Sequence, residues 1–425
     1  MERHPNTQAL YADQPAREQN IQALVSLFES GIKKQAETLG VEVEHTIVDA
    51  DGQPLTYSQP NGVADVLEAL SATYPQVTKD GIHILGLARP KMNVTIEPAA
   101  QIELSAGPFV RLDEVEQAFV QFDNDVAQII EPHGCRMLTY GYDTSMKAVD
   151  KELIPKARYD FMNRYLSTIS PYGPRMMRGS ASTQISIDFT SEADAVRKLR
   201  LSNVLAPIFA LICDNTPVFE GKKAPHYMMR TEIWRHLDPV RCNTVPGSLA
   251  EDFSFRKYAE YVLGVPAIVA PNGEGGFRYD TRTFGEIYAE VPMERPDVEH
   301  ALSMQWPDTR LKTYLEIRPA DSMPTPYVVA YAGLVKGLFY SESSLNALDD
   351  MLCDVLDEAL VEDAKTQLMR LGYDAQAYGM PVSDIADKVI ELAYAALGSD
   401  EKRYLDPLAE LVEKRITLTQ LSDLW

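Results

Sequence analysis

Apolar positions along the 425-residue chain switch between two periods. A helical period over residues 17–39 predicts an amphipathic helix stopping at Gly40, and 41–48 then alternates as a strand does. Residues 49–54 (DADGQP) form a turn, and 55–58 returns from it. Helical patterning recurs at 62–74, 112–133, 159–169, 192–214, 253–263, 298–305 and 327–339. Strand alternation recurs at 81–88, 93–105, 136–142, 182–189 and 312–318. Beyond residue 341 the pattern is wholly helical, over 344–371, 382–397 and 404–424. Strands that alternate, rather than run continuously apolar, favour an antiparallel sheet with one wet face over a doubly wound parallel one. The expected class is therefore α+β, with a body over 1–340 and a helical region over 341–425 lying on it.

Strand parity turns this pattern into chemistry, because side chains two apart share a face. Glu42 and Glu44 oppose Val41, Val43 and Ile47. Glu97, Gln101 and Glu103 oppose Ile96, Ile102 and Leu104. Gln184, Ser186 and Asp188 oppose Ile185, Ile187 and Phe189, and Tyr314, Glu316 and Arg318 oppose Leu315 and Ile317. If the four strands share one sheet, their carboxylates crowd together. Two such charges ~4 Å apart repel by about 4 kcal/mol at an effective dielectric of ~20. A cluster then needs a counterion or raised pKa values, and hard divalent cations bound through oxygen supply the former. Parity does not place the strands side by side, and a solvent-facing sheet alternates in the same way. Arg178, Arg230, Arg241, Arg310, Lys312 and Arg318 stand beside these segments. Arginine holds carboxylates and phosphates through paired hydrogen bonds, so an anionic substrate is one reading and surface ion pairing the other.

Composition narrows the function classes. There are 62 acidic against 40 basic residues, a formal charge of -22, which argues against nucleic acid and anionic membranes as partners. The longest apolar run, near 204–213, is well short of the ~20 residues a membrane span needs. No apolar leader is evident in the first 20 residues. Cys135, Cys213, Cys242 and Cys353 form no C-x-x-C pair, so reduced thiols and a cytoplasmic location are expected. The seven histidines show no metal-ligand spacing. Phosphate-loop, dinucleotide and nucleophile-elbow motifs are absent. Gly273-Glu274-Gly275-Gly276 reads as a mobile turn, which leaves metals and Arg/Lys to hold any nucleotide.

Several stretches carry a resemblance: GVEVEH at 40–45, IEPAAQIELS at 96–105, KARY at 156–159 with Met162, MMRGSASTQISIDF at 176–189, MRTEIW at 229–234 and YLEIRPAD at 314–321. In this order the chain resembles the plant-type glutamate–cysteine ligases, within the glutamine-synthetase-like carboxylate–amine ligases. The resemblance implies a curved, mainly antiparallel sheet forming an active-site funnel flanked by helices. It implies two or three Mg²⁺ ions, with Glu42, Glu44, Glu97, Glu103 and Glu316 in the metal set and Gln184 near metals or substrate. It also implies that Arg178 and Arg230 hold the glutamate α-carboxylate beside Trp234. Arg318 and Lys312 would contact the nucleotide, with Arg318 and Arg178 in catalytic roles. The reaction implied is ATP-dependent joining of the glutamate side-chain carboxylate to the amine of cysteine through an acyl phosphate. A monomer or homodimer is expected. Ser180 or Ala181 stands where plant enzymes have a cysteine, so no redox switch is expected.

Overall fold

Among the described residues, 15–273 and 276–422 of a computed structural model, nine strands form one open sheet. Glu274 and Gly275 of the expected mobile turn, and the last residues of the helix expected at 404–424, lie outside the described residues. The strands are β1 (Leu39–Val48), β2 (Gln76–Asp80), β3 (His83–Arg89), β4 (Met92–Ile96), β5 (Ile102–Phe109), β6 (Arg136–Leu138), β7 (Ser182–Ile187), β8 (Thr309–Leu311) and β9 (Leu315–Asp321). Their order is β8-β9-β7-β1-β5-β4-β3-β2, with β6 pairing the end of β1. Every pairing in it is antiparallel, as the alternation predicts.

The helices used below are α1 (Arg17–Glu29), α2 (Leu112–Ile130), α3 (Ala157–Ile169), α4 (Gly173–Gly179), α5 (Glu192–Ile212), α6 (Met229–Arg235), α7 (Thr325–Phe339), α8 (Glu342–Leu352), α9 (Glu358–Leu371), α10 (Val382–Ala396) and α11 (Asp406–Lys414). Val41, Val43, Leu104, Ile185, Ile187, Leu315 and Ile317 are buried in the core. Helices α2, α5 and α7 lie against these strands. Removing that apolar face from water is the main favourable term holding the sheet in place. Helices α10 and α11 rest on α7, α9 rests on α5, and one apolar core runs from Ile21 to Leu418.

Several boundaries differ from the periodicity for local reasons. The first helix ends at Glu29, not at Gly40, because the chain must turn at Gly31, where any Cβ would overlap the Thr313 backbone. The single strand expected over 93–105 is a hairpin of β4 and β5. Pro98 has no N–H to donate, Ala100 takes a φ of 64°, and the Glu97 N–H donates to the Gln101 carbonyl at 2.8 Å. The strand expected at 312–318 starts at Leu315, and Lys312 sits in the turn, its N–H donating to the Tyr314 carbonyl at 2.8 Å. The helix expected over 344–371 is two, with Asp357 capping the second through the Ala359 N–H at 2.8 Å. Strand β2 escaped the reading because all five of its residues are exposed and show no apolar face.

Candidate active site

The register sets the wet face of the sheet. Glu44 stands directly opposite Glu103 across β1 and β5, and Glu42 lies between Ser105 on β5 and Gln184 on β7. Glu316 on β9 is paired with Ser186 on β7 and with Arg310 on β8. Glu97 enters from the β4–β5 hairpin, not from a strand. Neighbouring strands thus carry the carboxylates that parity grouped strand by strand.

Their surroundings divide them in two. Glu316 is fully buried and saturated with cations. Its Oε2 accepts from Arg310 Nε and Arg318 Nη1, each at 2.8 Å, and its Oε1 from Lys312 Nζ at 3.0 Å. Burial works against ionisation there, but Arg310, Lys312 and Arg318 outweigh it and hold the carboxyl well below its ordinary range. The remaining four make no salt bridge among the described residues. Burial and the charges of Glu103 and Glu316 push Glu42 up to about 8. Burial and Glu44 raise Glu103 to about 7, despite a 2.6 Å hydrogen bond from Thr95 Oγ1. Burial, Glu103 and Glu44 drive Glu97 well above its usual value. Glu44 is raised by burial, although Arg230 opposes this and Ser182 donates to it through its N–H at 2.8 Å and its hydroxyl at 2.9 Å. Among the described residues no three His, Cys, Asp or Glu side chains are gathered tightly enough to grip an ion as they stand.

Two hollows flank this floor. A cavity of about 100 Å³ is lined by Glu44, Glu97, Tyr159, Arg230, Trp234 and Arg318, among others. A wider cleft of about 510 Å³ is bordered by Glu42, Ser186, Asp188 and Tyr314. In the smaller one, Arg230 is 3% exposed, and its Nη1 donates to the carbonyls of Arg318, Pro319 and Ala320 at 3.1–3.2 Å. Among the described residues, its Nε and the Trp234 Nε1 are buried donors without an acceptor. Both the Arg230 and Arg318 guanidiniums stand 5.8 Å from the Trp234 ring centre. The Arg318 Nη1 also donates to Gln184 Oε1, which ties β9 to β7.

The structure brings Glu42, Glu44, Glu97, Glu103, Gln184, Arg230, Trp234, Lys312, Glu316 and Arg318 to one region, but not Arg178. Arg178 closes α4 and donates to the Lys151 carbonyl at 2.7 Å, the Val149 carbonyl at 3.3 Å and Asn163 Oδ1 at 2.6 Å. It is absent from the lining of the smaller cavity, and its bonds hold the loop before α3. Tyr159, Trp306 and Arg158 are among the residues at or beside the cavity to which the sequence assigns no role. Tyr159 and Trp306 line it. Arg158 is near enough to feel the Glu97 charge, and among the described residues its buried Nε has no acceptor. Arg158 and Tyr159 lay within one of the resembling stretches, whereas no periodic signal marks Trp306.

An antiparallel sheet with a carboxylate floor and a pocket lined by arginine and tryptophan makes this an α+β protein with a charged internal site. In fold it is similar to a solved glutamate–cysteine ligase from Francisella tularensis in complex with AMP. The TM-score is 0.55 at 13% identity, covering 90% of this chain and 83% of that one. The model described as "Glutamate-cysteine ligase family 2(GCS2)" matches residues 38–422, and the chain belongs to that family. The glutamate–cysteine ligase of Arabidopsis thaliana is 29% identical over 97% of this chain and 80% of its own length. That of Medicago truncatula is 28% identical over 97% and 82%. The cytoplasmic expectation is corrected by these relatives, which are chloroplastic enzymes. Cys135, Cys213, Cys242 and Cys353 are free thiols, which do not choose between one compartment and another.

Proposed function

We propose that the chain is an ATP-dependent ligase that joins the side-chain carboxylate of glutamate to the amine of cysteine. The observation that carries this is the unbalanced carboxylate floor lying between an anion pocket and a larger cleft, in a chain of this family. Glu42 borders the larger hollow and Glu44 the smaller, so the floor meets both reactants. A volume of about 510 Å³ falls in the range of nucleotide-sized ligand sites, whereas about 100 Å³ suits a small acid.

The donor set fits Mg²⁺. Glu42, Glu44, Glu97 and Glu103 offer hard oxygen ligands whose raised pKa values mark a missing positive charge, and a cation that keeps several waters does not need a tight cage. When bound there, Mg²⁺ would neutralise phosphate oxygens. Glu316 joins this set only by giving up contacts to Arg310, Lys312 or Arg318. The chain's own residues do the rest. Arg230, with an unused buried Nε, pairs with the α-carboxylate of glutamate beside Trp234. Arg318 and Lys312 meet charge developing on the transferred phosphoryl group. An oxygen of the side-chain carboxylate attacks the terminal phosphorus, and the bond to ADP breaks. The cysteine nitrogen then attacks the acyl carbon, phosphate leaves and the amine loses a proton. In this reading 1–340 carries the site and 341–425 supports it.

Phosphate release from Mg-ATP tests the proposal. Release that requires both glutamate and cysteine, with γ-glutamylcysteine found by mass spectrometry, is expected. Release with another amine alone would discard cysteine as the substrate, and no turnover with any amine would overturn the ligase reading.

A further inference from the structure

Behind the anion pocket runs a chain of charges that starts in the C-terminal helices. Lys365 on α9 is 1% exposed, yet carries an ammonium. Its Nζ lies 2.7 Å from Asp308 Oδ2, 2.8 Å from Glu362 Oε1 and 3.4 Å from Asn243 Oδ1. Glu362, one turn earlier on the same helix, accepts from Arg235 Nε at 2.8 Å, and Thr366 Oγ1 accepts from Arg235 Nη2 at 2.9 Å. Arg235 is the last residue of α6, the helix that bears Arg230 and Trp234. At the other end, the Asp308 carbonyl accepts the Arg318 N–H at 3.0 Å, and the Asp308 N–H donates to the Asn243 carbonyl at 2.9 Å. One turn of α9 thus grips both elements that present guanidiniums to the pocket. A hollow of about 20 Å³ between them is walled by Arg230, Trp234, Asp308, Arg318 and Lys365.

A lone buried ammonium is costly, and breaking a buried pair leaves an uncompensated charge, so such a network holds its members in one arrangement. Substrate-holding groups are effective only when their own positions are fixed. No residue of α9 is among those lining the smaller cavity. We infer that Lys365 and Glu362 are positioning residues that set the spacing of Arg230 and Arg318, and so govern the affinity of the pocket for its carboxylate-bearing substrate. The inference rests on the proposed binding of glutamate there.

The test is steady-state kinetics of the full-length protein with Mg-ATP, glutamate and cysteine, for the wild type and for Lys365→Met, Glu362→Gln and Lys365→Arg. The expected result is a KM for glutamate about tenfold higher in Lys365→Met, with the KM for ATP unchanged. Glu362→Gln, at a half-buried position, should show a smaller rise in the same direction, and Lys365→Arg should recover part of the loss. Thermal melting separates positioning from simple support. A lowered Tm with an unchanged KM for glutamate, in Lys365→Met or in a folded Glu362→Gln, overturns the inference and leaves the ligase reading intact. A wild type without glutamate-dependent turnover overturns that reading and this inference together.

Discussion

At the residue scale, five glutamates on one floor have opposite electrostatic fates. Glu316 is held ionised by three cationic side chains, whereas burial and Glu103 push Glu42 to about 8, and burial and Glu44 push Glu103 to about 7. Neutralising each group should therefore have opposite effects in the absence of divalent cations. Glu316→Gln leaves Arg310, Lys312 and Arg318 buried without their partner and should cost about 3–5 kcal/mol. Glu42→Gln removes a repelling carboxyl and should leave stability unchanged or raise it. Urea unfolding in the presence of a chelator measures both. Equal destabilisation by the two substitutions would contradict the division. Parity grouped Glu42 with Glu44 on one strand, but it treated Glu97 as a strand residue when it lies in the β4–β5 turn, and it could not show which glutamates were neutralised, because Arg310 and Lys312 reach Glu316 around a turn.

At the element scale, two buried aspartates join parts of the chain far apart in sequence. Asp214, just past α5, accepts from the Met228 N–H at 2.8 Å, immediately before α6, and from Thr417 Oγ1 at 3.0 Å near the C-terminus. Asp321, at the end of β9, accepts from the Asn215 N–H at 2.9 Å. Burial and the charge of Asp321 raise Asp214 from 3.8 to about 7. The folded state therefore holds a proton that the unfolded chain releases. The stability this confers is complete below about pH 4 and is lost as pH rises through about 7. Urea midpoints from pH 4 to 8 should fall more steeply for the wild type than for Asp214→Asn, and parallel curves would contradict this. None of this was visible in the periodicity, which marks faces but not long-range partners. The same blindness extended the first helix past Gly31, since the need for glycine there comes from Thr313, far along the chain. The turn in IEPAAQIE was readable from Pro98, but the alternation around it hid the break.

At the scale of the whole molecule, a chain of formal charge -22 lines its smaller pocket with Arg230 and Arg318 as well as Glu44 and Glu97, and the proposed function assigns the first pair to anionic reactants and the second to metal. Glu97 comes from the β4–β5 turn, but the carboxylates of β1, β5 and β9 were legible because those strands alternate. Their order was not, since β9 meets β7, β7 meets β1 and β1 meets β5 across long sequence gaps. Arg178, to which the resemblance gives a substrate-holding role, makes its hydrogen bonds away from the smaller cavity. It lies between two site segments in sequence, yet it is bound to the loop at 149–151 and to Asn163. The C-terminal helices carried no chemical signal in the sequence, and the positioning role inferred for them rests on the contacts of Lys365 and Glu362. The central claim is that the glutamate side chain is activated by phosphorylation. Glutamate labelled with ¹⁸O in its side-chain carboxylate, turned over with Mg-ATP and cysteine, tests it directly. The account predicts one labelled oxygen in each phosphate released and one retained in the amide. Unlabelled phosphate, with both oxygens kept on the glutamate, would contradict it.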